Sequence, residues 1–151
     1  MLVGIFTGIL RKRAIKFIKE NFEYIESKDM AICHGYFNSR CHWNSYTEFR
    51  THPENTKVIA TVCINANEGD IMVHFINYDT DRNCYYDLTL GTCNIIYEYQ
   101  YVIGECDFSL GEIENMGERL SEFKHWIIDR SFKNKFVRKF YRWLKDKYNI
   151  I

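Results

Sequence analysis

Three side chains in this 151-residue chain could together perform thiol chemistry: Cys41, His74 and Asp87. A nucleophilic cysteine needs a lowered pKa, an imidazole to hold and return its proton, and a third group to orient that ring. Cys41 stands where a short helix over 41–50 is predicted to begin, just after the polar loop 29–40. The first turn of a helix carries partial positive charge, which favours thiolate. Of the six cysteines (33, 41, 63, 84, 93 and 106), Cys41 alone has this setting. Cys33 shares the loop but has no evident helix behind it.

His74 is singled out by its place in a strand. In IMVHFINY (71–78), Ile71, Val73 and Phe75 share one face, and Met72, His74, Ile76 and Tyr78 the other. A lone imidazole in an apolar strand requires a partner. The polar turn DTDRN leads into CYYDLTL (84–90), where Asp87 is equally isolated. A turn centred between Thr80 and Asp81 would set His74 directly opposite Asp87, with Cβ atoms roughly 4.5–5.5 Å apart.

Cysteine at a helix start, then histidine on a strand, then aspartate on the next strand resembles the order in transglutaminase-like cysteine peptidases and their papain-fold relatives. MVHFINYDTDRNCYYDLTLG (72–91) is similar to the family's histidine, aromatic, short turn and aspartate followed by a hydrophobic residue and a threonine. RCHWNS (40–45) is similar to its cysteine and polar helix turn. The resemblance covers residues 33–91. It implies acyl transfer at an amide or related carbonyl of a protein or other amide-containing substrate, with no cofactor and no metal. Cys41 would attack, His74 would act as base and then acid, and Asp87 would orient His74. Arg40 replaces the small residue often found before the cysteine, and no equivalent of the papain-type oxyanion glutamine is evident. Backbone N–H groups at the helix start would serve instead.

Each residue also has a plainer reading. Cys41 could be an incidental loop thiol, and His74 with Asp87 a structural pair closing a hairpin. The repeat Cys33-His34 and Cys41-His42 supplies zinc-ligand types, but adjacent side chains seldom converge on one ion. His52 and His125 read as surface or groove residues. The rival class of function is a catalytically inactive binding module of the same fold, gripping a protein or nucleic acid through its basic, aromatic C-terminal helix. Nucleic acid is the less favoured partner, because Trp126, Trp143 and the aromatics of 97–101 read as core rather than as a base-stacking platform.

The elements that must position these residues follow from periodicity. Leu10, Ala14, Ile15, Phe17, Ile18, Phe22 and Ile25 recur at helical spacing and predict a first helix over 9–26. Asn38 or Ser39 could cap the helix that follows. Segments 57–65, 71–78, 84–90 and 94–103 read as strands. Ile113, Met116, Leu120, Phe123 and Ile127 predict one C-terminal helix. Phe136, Val137, Phe140, Tyr141, Leu144 and Tyr148 share an arc of a second. The expected fold is α+β: a single domain over 1–151, with an antiparallel four-stranded sheet, an N-terminal helix, a short nucleophile helix and two C-terminal helices, a papain/transglutaminase-like core.

Charge is balanced overall but not locally. Segment 1–19 has five basic residues and no acid, segment 124–151 has nine basic residues and two acids, and 20–123 holds 18 acids against six bases. Attraction between basic ends and an acidic middle is one reading, and a basic surface for nucleic acid or acidic lipid headgroups the other. Residues 2–10 (LVGIFTGIL) are apolar but precede the basic cluster, the reverse of a signal peptide, and are too few to span a bilayer. The expected setting is the cytoplasm, with reduced thiols.

Overall fold

The computed structural model describes residues 2–29, 40–65, 70–89, 99–106 and 116–148. Their order is α1 (Leu2–Asn21), β1 (Glu23–Ile25), β2 (Ser27–Asp29), α2 (Cys41–Thr51), β3 (Thr56–Asn65), β4 (Asp70–Asp79), β5 (Cys84–Asp87), β6 (Tyr99–Glu105), α3 (Met116–Ser131) and α4 (Lys135–Tyr148). The class is α+β, as expected. Among the described residues the sheet has six strands rather than four, in the order β1-β6-β3-β4-β5-β2. Five join antiparallel, and β2 adds to β5 in parallel.

Of the two additional strands, β1 comes from the tail of the expected first helix and β2 from the residues just beyond it. The helix stops at Asn21, whose Nδ2 donates to the Phe17 carbonyl at 2.8 Å. Beyond it, Glu23–Ile25 pairs with β6, so Ile25 is buried on a strand and not on a helix face. Helical spacing ran on through Phe22 and Ile25 by coincidence, and sheet pairing overrode it.

β1 and β2 lie at opposite ends of the sheet order, yet Glu26 alone separates them in sequence. One residue reaches only about 3.3–3.6 Å, so the sheet curls until its two edges meet. Ser27 Oγ on β2 donates to Gln100 Oε1 on β6 at 2.8 Å, a direct contact from one edge strand to the strand beside the other edge. Gln100 Nε2 donates to Thr61 Oγ1 at 2.9 Å, and Thr61 Oγ1 to the His74 carbonyl at 2.9 Å.

The two faces divide the core. Leu10, Ala14 and Ile18 of α1 pack with Ile127, Ile128 and Phe132 against Val62, Ile64 and Ile71 of the sheet. Cys41 packs on the same sheet face against Val58, Ala60 and Phe75. Ile25, Ile59 and Ile76 cluster on the other, inner face, which also carries Thr61 and His74. β3 is central, and every residue in it except Lys57 is buried, as its run of apolar residues on both faces required.

The hairpin register differs from the expected one. The observed pairs are Asn77↔Tyr86, Tyr78↔Tyr85 and Asp79↔Cys84. The turn therefore centres between Asp81 and Arg82, one residue later. Asp79 Oδ1 accepts the N–H groups of Asp81 and Arg82, both at 2.9 Å, and Asn83 takes the left-handed conformation at φ 53°. These local bonds select the longer loop. His74 and Asp87 become diagonal neighbours on one face rather than direct opposites. Because the shift is by two positions of register, facing is preserved.

Asn83 tests the turn. Asn83→Val is expected to lower stability by about 1–2 kcal/mol relative to Asn83→Gly, since only a β-branched side chain is strained there. Both variants lose the hydrogen bond from the Tyr78 hydroxyl to Asn83 Oδ1, so their difference in urea denaturation isolates the backbone effect.

Candidate active site

Cys41 is the first residue of α2. The residue before it, Arg40, is the N-cap and offers no side-chain cap hydrogen bond, so this position belongs to Arg40 and not to Asn38 or Ser39, which lie outside the described residues. The first turn contains no acidic residue to offset the positive end of the helix dipole.

Two tethers lay α2 across the sheet. Asn77 Nδ2 donates to the Ser45 carbonyl at 2.9 Å, and the Tyr86 hydroxyl to Glu48 Oε1 at 3.3 Å. The described β4–β5 ladder covers only Asn77–Asp79 of β4. Just before it, the Phe75 N–H donates to the Cys41 sulfur. The thiol thus sits on the flank of β4 and reaches His74, although the ring lies on the opposite face of the strand from Phe75.

The three expected residues are brought together. His74 Nε2 lies 2.6 Å from Asp87 Oδ2, and Cys41 hydrogen-bonds to His74, whose remaining nitrogen is Nδ1. Exposure is 8% for Cys41, 2% for His74 and 1% for Asp87, so the thiol is the member nearest solvent. Burial opposes the Cys41 thiolate, but hydrogen bonds from His42 and His74, the His74 charge and the Phe75 N–H outweigh it, and the pKa falls from 9.0 to about 6. Burial likewise opposes a charged His74, but its hydrogen bonds to Asp87 and Cys41 and the charges of both raise its pKa well above the ordinary 6.5. Both shifts favour the thiolate–imidazolium form of the pair.

Two further residues lock this arrangement. Asp87 Oδ1 accepts the Thr89 N–H at 2.8 Å, so both carboxylate oxygens are engaged. Thr89 Oγ1 accepts from Asn44 Nδ2 at 3.0 Å, and Asn44 lies one helical turn beyond Cys41. Asn44 and Thr89 are buried, at 1% and 7% exposure. The path Cys41–His74–Asp87–Thr89–Asn44 therefore closes on itself through the backbone of α2.

Sequence reading missed Asn44, Thr89 and the thiol-bonding role of His42. A polar Asn three residues after Cys41, on the face that must meet the sheet, was the available signal. Asp87-Leu88-Thr89 likewise carries the spacing at which an aspartate caps its own chain. Cys33 and His34 lie outside the described residues, and among the described residues no group of three or more His, Cys, Asp or Glu side chains is placed to hold a metal ion. Cys41, Cys63, Cys84 and Cys106 carry free thiols. His52 is exposed, and His125 pairs through Nδ1 with the Tyr141 hydroxyl at 2.9 Å.

No family model, curated protein or solved structure matches this chain.

The geometry sets the pH dependence of the thiol. Alkylation of Cys41 by iodoacetamide, followed by peptide mass spectrometry, is expected to rise with a midpoint near pH 6. His74→Ala should move that midpoint upward toward the range of an ordinary cysteine. Asn44→Ala should cost about 1–3 kcal/mol of stability by stripping a buried partner from Thr89, and should slow labelling of Cys41 in the protein that remains folded.

Proposed function

We propose that the protein is a thiol-dependent acyl-transfer enzyme acting on an amide or related carbonyl of a protein or other amide-containing substrate, with Cys41, His74 and Asp87 as its triad. The observation that carries this reading is the buried circuit in which a helix-start thiol and an aspartate both hydrogen-bond the same imidazole. A hairpin that merely needed a His–Asp pair would not require a thiol at the ring's second nitrogen. The resemblance of residues 33–91 to transglutaminase-like and papain-fold peptidases belongs to the same proposal.

In the mechanism, the Cys41 thiolate attacks the carbonyl carbon and forms the C–S bond. Negative charge gathers on the carbonyl oxygen, where backbone N–H groups of the first turn of α2 can stabilise it. As the C–N bond breaks, His74 Nδ1–H gives its proton to the departing amine, leaving a thioester and a neutral imidazole. Water or a second amine then attacks the thioester, with His74 accepting the proton. Water gives hydrolysis or deamidation, and an amine gives transamidation. Asp87 holds the ring and its charge through Nε2 throughout.

The variants should rank in a definite order. Cys41→Ala should abolish adduct formation with an acylating or alkylating electrophile at this position. His74→Ala should nearly abolish it near neutral pH. Asp87→Asn should retain a measurable fraction, since it disturbs orientation and charge rather than removing a reacting group. Intact-protein mass spectrometry reads all three. Should Cys41 label no faster than Cys84 near pH 7, the enzyme reading is lost and the inactive binding module takes its place.

A further inference from the structure

Of the apolar arc on α4, Trp143 was expected in the core. Tyr141 is buried there, at 2% exposure, but Phe136, Val137, Phe140 and Trp143 stand 85%, 43%, 53% and 49% exposed. At 100° per residue these four occupy an arc of about 120° on the outer side of the helix. Phe140 and Trp143 stack with ring centroids 5.8 Å apart. The result is a continuous aromatic ridge and not a set of scattered surface residues.

The charges around the ridge are arranged with a bias. Arg142 makes a two-pronged pair with Asp129, both bonds at 2.8 Å, and Arg138 lies 3.7 Å from the same carboxylate. The two arginines thus serve to hold α4 against α3. Lys135, Lys139 and Lys147 are exposed. Lys147 Nζ lies 4.9 Å from the centre of the Trp143 ring, at the end of the ridge, and by helical spacing Lys135 and Lys139 fall along its flank with one exposed acid, Asp146, between them. The surface therefore combines protruding aromatics with lysines whose long stems can follow the apolar ridge while their ammonium groups reach outward.

We propose that α4 docks this protein on an anionic phospholipid surface, lying in the plane of the interface with Phe136, Phe140 and Trp143 among the acyl chains and the lysines at the headgroup phosphates. The shape and the charge select this occupant. A nucleic acid would neutralise the lysines but leave Phe136 and Phe140 largely in water. A convex ridge of this kind is not the concave groove that receives a partner's helix. An anionic bilayer surface satisfies both parts, and an amphipathic helix with aromatics on one face and lysines beside them suits that position. No helix among the described residues is long and apolar enough to cross a membrane, so the contact is peripheral. The inference is independent of the triad.

Co-sedimentation of the 151-residue chain with vesicles tests it, using phosphatidylcholine alone or mixed with phosphatidylserine. Binding to the mixed vesicles is expected to be about tenfold tighter than to neutral ones, and to weaken as salt is raised. The combined variant Phe136→Ser, Phe140→Ser, Trp143→Ser should lose about tenfold or more in affinity for the mixed vesicles. Lys135→Glu with Lys139→Glu should remove the preference for phosphatidylserine. Thermal unfolding verifies that the variants fold. Should the triple variant not fold, Phe136→Ser alone, at the most exposed position, should still weaken binding several-fold. Wild-type protein that stays in the supernatant overturns the proposal. So does vesicle binding unchanged by the ridge variants, or variants that alter only self-association or oligonucleotide binding.

Discussion

The arrangement of the site rests on a closed path of hydrogen bonds: Cys41 to His74, His74 to Asp87, Asp87 to Thr89, Thr89 to Asn44, and Asn44 back to Cys41 through one turn of helix. Every member is buried. A charged imidazole and carboxylate in such a place are expensive to desolvate, and removing either partner of a buried pair costs about 3–5 kcal/mol because the other is left alone. Here the carboxylate keeps both oxygens occupied, one by the ring and one by a backbone N–H. The ring in turn keeps both nitrogens occupied. Satisfaction all the way round is what allows ionised groups to persist inside the fold.

The circuit constrains the elements around it. α2 must lie with its N-terminus at the flank of β4, and the tethers Asn77 to Ser45 and Tyr86 to Glu48 keep it there. β5 must leave the ladder just after Tyr86 so that the Phe75 N–H can meet sulfur instead of another strand. The curl of the sheet follows from a different cause, the single residue between β1 and β2, but it serves the same site. It buries the face that carries His74, and the chain of bonds from Ser27 through Gln100 and Thr61 ends on the His74 carbonyl. The backbone of the histidine and its side chain are thereby fixed by separate networks.

α4 obeys none of these constraints. One tyrosine, Tyr141, anchors it through the apolar cluster, where its hydroxyl pairs with His125, and Asp129 holds it by two arginines. Phe136, Val137, Phe140 and Trp143 face outward. A stripe at helical spacing identifies an amphipathic helix but not the medium that its apolar side meets. The same pattern that would have filled a core supplies an external ridge instead, and Trp126, at 40% exposure, departs from the expected core in the same way.

What the sequence by itself determined was chiefly alternation and isolation. Strand period put His74 and Asp87 on one face, and their solitude among apolar neighbours marked them as partners. A cysteine at a polar-loop-to-helix boundary marked Cys41. These inferences need only local chemistry, and β3, β4 and the C-terminal helices were legible for the same reason. Tertiary structure alone decided the rest. Residues 23–29 became strands because β6 and β5 offered them open edges, a long-range pairing that no local spacing encodes. The hairpin chose the later turn centre because Asp79 and Asn83 stabilise it, and the diagonal contact replaced the direct one. Asn44 and Thr89 are separated by 45 residues, and no periodicity links them. They meet because a helix is laid across a curled sheet, and only that packing turns a buried amide and a buried hydroxyl into the link that closes the site.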